Sequence, residues 1–286
     1  MVYGHFLDSN VPLPIVGWAA SYGGTRIEFE LTVHSHSELL SLIRQRSICQ
    51  RGRKGRPESV FLNDEGNLCI LIGESIAFIL ARGRDKIQCR TEPGYDTEAL
   101  AYLLLNLVLP IYLETEGRLA LLHASAVALG EQAIAFLGDC TTGKSTLAEY
   151  FLSRGCALVA DDRLAISRGE QGVLAVPSHP YMRVGPKSPL WLGEPVEKAC
   201  HDALPVRKVY VLEPSAPGTE PRVEVVSASD ASWELMRCRM VWFRDGVVDG
   251  FRLFADMAVS RMVSRLYVPR SMAALPAVYE LVIRDV

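Results

Sequence analysis

The chain has no closely spaced cysteine pair. Its seven cysteines, at 49, 69, 89, 140, 156, 200 and 238, are odd in number and never in C-x-x-C spacing. That argues against a zinc site or a disulfide framework and makes a reducing cytoplasm the expected location. Positive charge is not in excess: 30 Lys and Arg against 33 Asp and Glu leave a formal net charge of -3, which argues against a general nucleic-acid binder. Long apolar runs are also missing. The longest, Leu100 to Leu113, is too short to span a bilayer and is interrupted by Asn106 and Pro110, so it reads as a buried helix and no membrane partner is expected. The N-terminus shows no basic region followed by an apolar stretch, and Pro12 and Pro14 interrupt it, so no signal peptide is expected. No internal repeat or low-complexity segment is evident. What remains is a chain of 286 residues, 49% hydrophobic and 22% charged, sufficient for one large domain or two modest ones without a covalent or metal staple.

The first 95 residues read mostly as strands. Arg26 to Leu31 alternates polar and apolar residues, as a half-buried strand does. Val60–Leu62 and Leu68–Ile72 flank Asn63-Asp64-Glu65-Gly66-Asn67, a hairpin signal, and Ile76 to Leu80 reads as a further strand. Ser37 to Arg46 is a short helix candidate capped by Ser37. The basic run from Arg44 to Arg56 is either a site for an acidic peptide or phosphate, or a solvated loop. A helix is predicted from Thr97 to about Glu114, capped by Asp96. After it the pattern changes to continuous apolar runs, Leu121–Leu129 and Ala133–Leu137, which suit strands buried on both faces. The expected division is a β-rich domain over 1–117 and a catalytic α/β domain over 118–286.

Gly138-Asp139-Cys140-Thr141-Thr142-Gly143-Lys144-Ser145 fits G-x-x-x-x-G-K-[ST], with an apolar strand before it and an amphipathic helix, Lys144 to Arg154, after it. The chemistry requires these residue types. Glycines let backbone N–H groups curl around phosphate oxygens, and the helix N-terminus adds partial positive charge. Lys144 supplies a point charge for the β- and γ-phosphates. The hydroxyl of Ser145 is a small ligand for Mg²⁺. Residues 138 to 146, Thr146 included, are therefore the expected nucleotide contacts, with ATP and Mg²⁺ as cofactors.

The helix ends at Gly155 and a strand follows to Ala160. Eleven helical residues carry the chain roughly 16 Å from the phosphates. Five strand residues return it by roughly 17 Å. That strand is expected to run parallel to the one before the loop. Asp161 and Asp162 then land beside the phosphates, where a metal ligand and a general base belong; the alternative is a pair capping a turn. His123, on the strand before the P-loop strand, is either an active-site group or a satisfied structural histidine.

The run H-A-S-A-V, then G-D-C-T-T-G-K-S-T-L, then R-G-C-A-L-V-A-D-D-R resembles the catalytic core of the bacterial HPr kinase/phosphorylase family, whose P-loop fold is shared with phosphoenolpyruvate carboxykinase. The resemblance implies an α/β kinase core with a mixed sheet, preceded by a smaller β-rich α+β domain. It implies Asp162 as the base accepting a serine proton, Asp161 and Ser145 as Mg²⁺ ligands, and His123 and Lys144 as active-site groups. It is specific over about 120–165. A weaker likeness over Phe251–Arg284, at Arg265-Leu266-Tyr267-Val268-Pro269-Arg270, points to shorter kinases of this kind that phosphorylate a C-terminal serine of lasso-peptide precursors. The family's second signature is missing: Ser178 to Gly185 keeps Arg183 but lacks the acidic residue. The implied partner is a peptide or small protein with an acceptor serine. An HPr-type protein kinase, and a nucleotide-gated peptide-binding protein with weak ATPase activity, are the competing expectations.

Overall fold

The computed structural model describes residues 1–15, 25–34, 47–50, 58–62, 66–73, 75–170, 172–183, 191–240 and 247–286. The helix expected over Ser37–Arg46 lies outside the described residues, as do all the basic positions of the run from Arg44 to Arg56. The architecture is mixed α/β, built on two large mixed sheets.

The first sheet has seven strands. β1 (Phe6–Ser9), β2 (Arg26–Val33) and β7 (Lys86–Thr91) run parallel to one another, and β6 (Ile76–Ala81), β5 (Leu68–Ile72), β4 (Glu58–Leu62) and β3 (Ser47–Gln50) continue it antiparallel. The expected hairpin forms, with Leu62 opposite Leu68. In β2 and β7 the inward residues Ile27, Phe29, Ile87 and Cys89 are fully buried, as their alternation demands.

They pack against a helical segment with three parts: α1 (Thr97–Leu103), a π-helical turn (Leu104–Val108) and α2 (Leu109–Thr115). The Asp96 side chain accepts from the Glu98 N–H, the predicted cap. The expected helix forms, with a π turn in its middle. Pro110 has no N–H to continue the ladder, and just before it Leu109 bonds back five residues to the Leu104 carbonyl. This segment is long and apolar enough to cross a membrane, and 83% of its most apolar window is buried inside the fold.

The second sheet has nine strands. Its centre is three parallel strands: β10 (Gln132–Leu137), β16 (Leu204–Ser215) and β18 (Val263–Pro269). The apolar run 121–129 is not one strand. It breaks at His123 into β8 (Ala120–Leu122), which pairs with β12 (Leu164–Gly169), and β9 (Ala124–Leu129), which pairs with β10. β13 (Gly172–Val176) joins β12 to β16, β17 (Arg222–Val225) lies antiparallel on β18, and β14 (Tyr181–Met182) and β15 (Glu194–Pro195) form a separate antiparallel pair.

The helix after β10 is α3 (Lys144–Ser153), one residue shorter than expected, with Arg154 as its C-cap. It buries Leu147, Ala148 and Phe151 on one face, and Phe151 packs on Phe136 at 5.3 Å between ring centroids. β11 (Ala157–Ala160) then returns in the direction of β10 but not beside it. β9 stands between them, antiparallel to both, because the short turn at Gly130 fills that edge of β10 first. Farther along, α4 (Ala228–Arg237), α5 (Val247–Val259) and α6 (Leu275–Asp285) complete the chain.

Candidate active site

The phosphate-type loop leaves the carboxyl end of β10 and turns into α3. Gly138 has φ +155°, and a Cβ there would stand 2.7 Å from Thr142 Oγ1, so no side chain fits. Thr141 and Gly143 also take positive φ, +70° and +99°. For a β-branched threonine that conformation is costly, and it persists because the loop imposes it. Alternating backbone handedness of this kind turns successive N–H groups toward one concavity. No side chain caps α3 at Gly143, so its first-turn N–H groups face the same space. The Thr142 hydroxyl donates to the Asp139 carbonyl at 2.8 Å, closing the loop on itself.

Lys144 is almost fully buried at 4% exposure. Its Nζ donates to the carbonyls of Gly138 (3.0 Å) and Asp139 (2.9 Å) and to His123 Nε2 (3.2 Å). Burial lowers the ammonium's pKa, while the carboxylates of Asp162 and Asp161 act in the opposite direction.

His123 occupies the break between β8 and β9, not the strand expected for it. Its N–H is fixed by the Cys238 carbonyl at 2.7 Å. Because Lys144 can only donate, Nε2 is the acceptor, and Nδ1 then carries the proton it gives to the Asp162 carbonyl at 3.1 Å. Burial first, and then the Lys144 charge, hold its pKa below the ordinary histidine value, which agrees with this neutral tautomer.

Asp161 and Asp162 follow β11. Asp161 is buried; one carboxylate oxygen accepts from Ser125 Oγ at 2.7 Å and the other from the Arg183 N–H at 3.2 Å. Asp162 has φ +64°, a left-handed conformation that aspartate tolerates better than most residues. His123 thus bridges the loop and the aspartate pair, with Lys144 on one ring nitrogen and Asp162 on the other. The Cys140 thiol, exposed on the loop, is 3.7 Å from His123 Nε2.

On the other flank of the loop lies a cavity of about 320 Å³. Thr146, Leu147, Pro214, Pro269, Arg270 and Met272 contribute to its wall. Pro214 and Pro269 sit at the carboxyl ends of β16 and β18, so the opening lies where ligands of α/β sheets characteristically bind. Ser145 stands beside Thr146 on the first turn of α3.

Several residues at the site were not singled out from the sequence. Ser125, which holds Asp161, lies two positions after His123. The Asp139 side chain is paired by Arg237 at the end of α4, which is itself held by Glu234. Arg183, noted only for a missing neighbour, reaches Asp161 through its backbone and stacks over Tyr102 at 5.1 Å.

No family model and no curated protein matches this chain. Among solved structures, the Hpr(Ser) kinase/phosphatase from Coxiella burnetii is similar to it at 16% identity, with a TM-score of 0.33, over 58% of this chain and 95% of that one. At that distance no residue role transfers, and the site stands on its own geometry.

Proposed function

We propose that this protein is an ATP-dependent kinase that transfers the γ-phosphoryl group to a serine hydroxyl of a peptide. The observation that carries this reading is the single contact chain from the phosphate loop through Lys144 and His123 to the backbone carbonyl of Asp162, whose side chain starts from the same residue. One end of that chain suits a triphosphate and the other a hydroxyl group.

In this reading residues 138–146 cradle the phosphates, and the nucleoside occupies the neighbouring cavity. The serine oxygen attacks the γ-phosphorus, the bond from phosphorus to the β,γ-bridging oxygen breaks, and the hydroxyl proton passes to the Asp162 carboxylate. Such a base contributes on the order of 10²–10⁴-fold. Lys144 offsets charge on the moving group, the larger effect in phosphoryl transfer. His123, fixed by Cys238 and neutral, holds Asp162 in register with Lys144. The donors suit Mg²⁺: Ser145 offers a hydroxyl, and the Asp161 carboxylate has lone pairs beyond the two used by Ser125 and Arg183. When bound, the ion would neutralise phosphate charge. Among the described residues no group of three or more His, Cys, Asp or Glu could hold a metal, so phosphate oxygens would complete its shell.

The acceptor we favour is a C-terminal serine of a ribosomally made peptide of the lasso-precursor kind, supported by the weaker motif resemblance over Phe251–Arg284 and by the missing second signature of the HPr kinase family. The reaction would be cytoplasmic, with the part before residue 117 contributing peptide recognition. The test is mass spectrometry of serine-terminated precursor peptides after incubation with the protein and Mg·ATP. A gain of one phosphate on the terminal serine is expected; ATP hydrolysis without peptide phosphorylation would instead favour the nucleotide-gated binding protein.

A further inference from the structure

Arg163 directly follows the aspartate pair and is half-buried. Its guanidinium makes one hydrogen bond, from NH1 to the Met240 thioether at 3.4 Å, and its Nε is buried without a partner. Thioether sulfur is a weak acceptor with no charge. Among the described residues no carboxylate forms an ion pair with Arg163. The side chain of Arg239, by contrast, is fully buried and its guanidinium meets Glu114 at 2.5 Å. A cation taken partly out of water without a counter-charge is expensive, and a native fold that keeps one calls for an explanation.

The neighbouring polar groups do not supply it. Tyr3 gives its hydroxyl to the Leu105 carbonyl and His179 pairs with Asn106. Burial first, and the charge of Arg163 after it, lower the pKa of His179 and His123, with the Asp162 carboxylate acting on both in the opposite direction; at Tyr3 burial outweighs Arg163 and raises the pKa. The one hydrogen-bond partner of the Arg163 guanidinium, Met240, does not belong to the phosphate loop, whereas His123 turns Nε2 toward Lys144 and Cys140 of the loop.

We propose that Arg163 binds a carboxylate of the acceptor, placing the neighbouring hydroxyl at Asp162. This rests on the kinase reading above and narrows its substrate class. A C-terminal serine carries its α-carboxylate on the carbon next to the one that bears the hydroxyl, so adjacent residues of the protein meet adjacent groups of the substrate. The terminal nitrogens of one guanidinium can take both oxygens of a carboxylate in parallel. A serine inside a chain has no such carboxylate and would bind without this contact.

The experiment uses the full chain with Mg·ADP and two probes, N-acetyl-L-serine and N-acetyl-L-serinamide, titrated by NMR, with ATP affinity measured alongside. The acid is expected to bind about ten-fold or more tightly than the amide, the scale of one charge-assisted pair. Arg163→Gln should bring that ratio to about one and leave ATP affinity unchanged. Arg163→Lys, which keeps the charge but not the fork, should fall between and covers the case in which the Gln variant does not fold. Equal binding of acid and amide by the parent, binding of neither, or a preference that survives Arg163→Gln overturns the proposal. So does a loss of ATP affinity in Arg163→Gln that leaves the acid-to-amide ratio intact, since that places the guanidinium on the phosphates. A parent that prefers the acid but binds no ATP would instead defeat the kinase reading alone.

Discussion

The two flanks of the site are built differently. On the phosphate side, one contiguous stretch from Leu137 to Leu147 supplies strand end, loop and helix start, and the buried Lys144 has three partners within it or touching it. On the aspartate side, each group comes from a different part of the chain: His123 from the β8–β9 break, Asp162 from the end of β11, Arg183 from beyond β13, Cys238 from the end of α4. Buried polar atoms without a hydrogen-bond partner include Nε of Arg163 on this second side, and others lie elsewhere in the fold. A contiguous loop can satisfy its own backbone. A surface assembled from remote segments can leave polar atoms for a ligand, and it depends on whatever holds those segments together.

That dependence can be broken at several points. The largest effect is expected from Lys144→Ala, which should reduce phosphoryl transfer to background, a loss on the order of 10³-fold or more. Its melting temperature should stay near the parent's, since a buried ammonium is itself costly. Radiolabelled transfer and a thermal melt test both halves of the statement; activity within a few-fold of the parent would remove the phosphate-loop assignment.

Next comes the tether of the aspartate side. Arg239 forms a bridge with Leu122 beside His123, and its buried side chain pairs with Glu114 near the end of α2. Arg239→Met leaves the Glu114 carboxylate buried alone and should cost about 3–5 kcal/mol of stability. Adding Glu114→Leu should recover most of it, as a denaturant melt of the double variant would show. Full stability in the single variant would mean the pair does not tie the two regions together.

Asp162→Asn separates the flanks chemically. Nucleotide affinity should be kept while transfer to the hydroxyl falls by on the order of 10²-fold or more. Isothermal titration with ATP and single-turnover transfer read the two quantities independently, and normal transfer would rule out Asp162 as the base.

The smallest effect is a dependence on pH. Burial, with Arg163 adding to it, lowers the His179 pKa to about 4. The unfolded chain therefore takes up a proton near pH 6.5 that the folded chain refuses until about pH 4. Stability present above pH 6.5 is lost as pH falls through that window, by roughly 2 kcal/mol at pH 5. His179→Gln should flatten the curve of unfolding free energy between pH 7 and 5; an unchanged slope would show that other groups set it.

The hairpin at 62–68, the Asp96 cap and the strand–loop–helix at 133–153 were legible because each depends on neighbours in sequence: turn residues, a cap and its N–H, glycines where no Cβ fits. The break at His123 was not. Leu121 to Leu129 is uniformly apolar, and nothing within it says that its two halves join different partners. The place of β11 was missed for a similar reason. Lengths of helix and strand predict that the chain returns, but not that β9 already occupies the adjoining edge of β10. The π turn was half visible, since Pro110 announces a disturbed helix but not its form.

By itself, then, the sequence determined the local devices: a loop that needs glycine at Gly138 and Gly143, a lysine at its helix start and two carboxylates one crossover later. Only the tertiary structure decided that His123 joins them, that Ser125 and the Arg183 backbone hold Asp161, and that Arg163 meets no carboxylate in an ion pair among the described residues. The physical reason is range. Backbone conformation and capping are set within a few residues, whereas the pairing of a buried charge is settled by whichever distant segment packs against it.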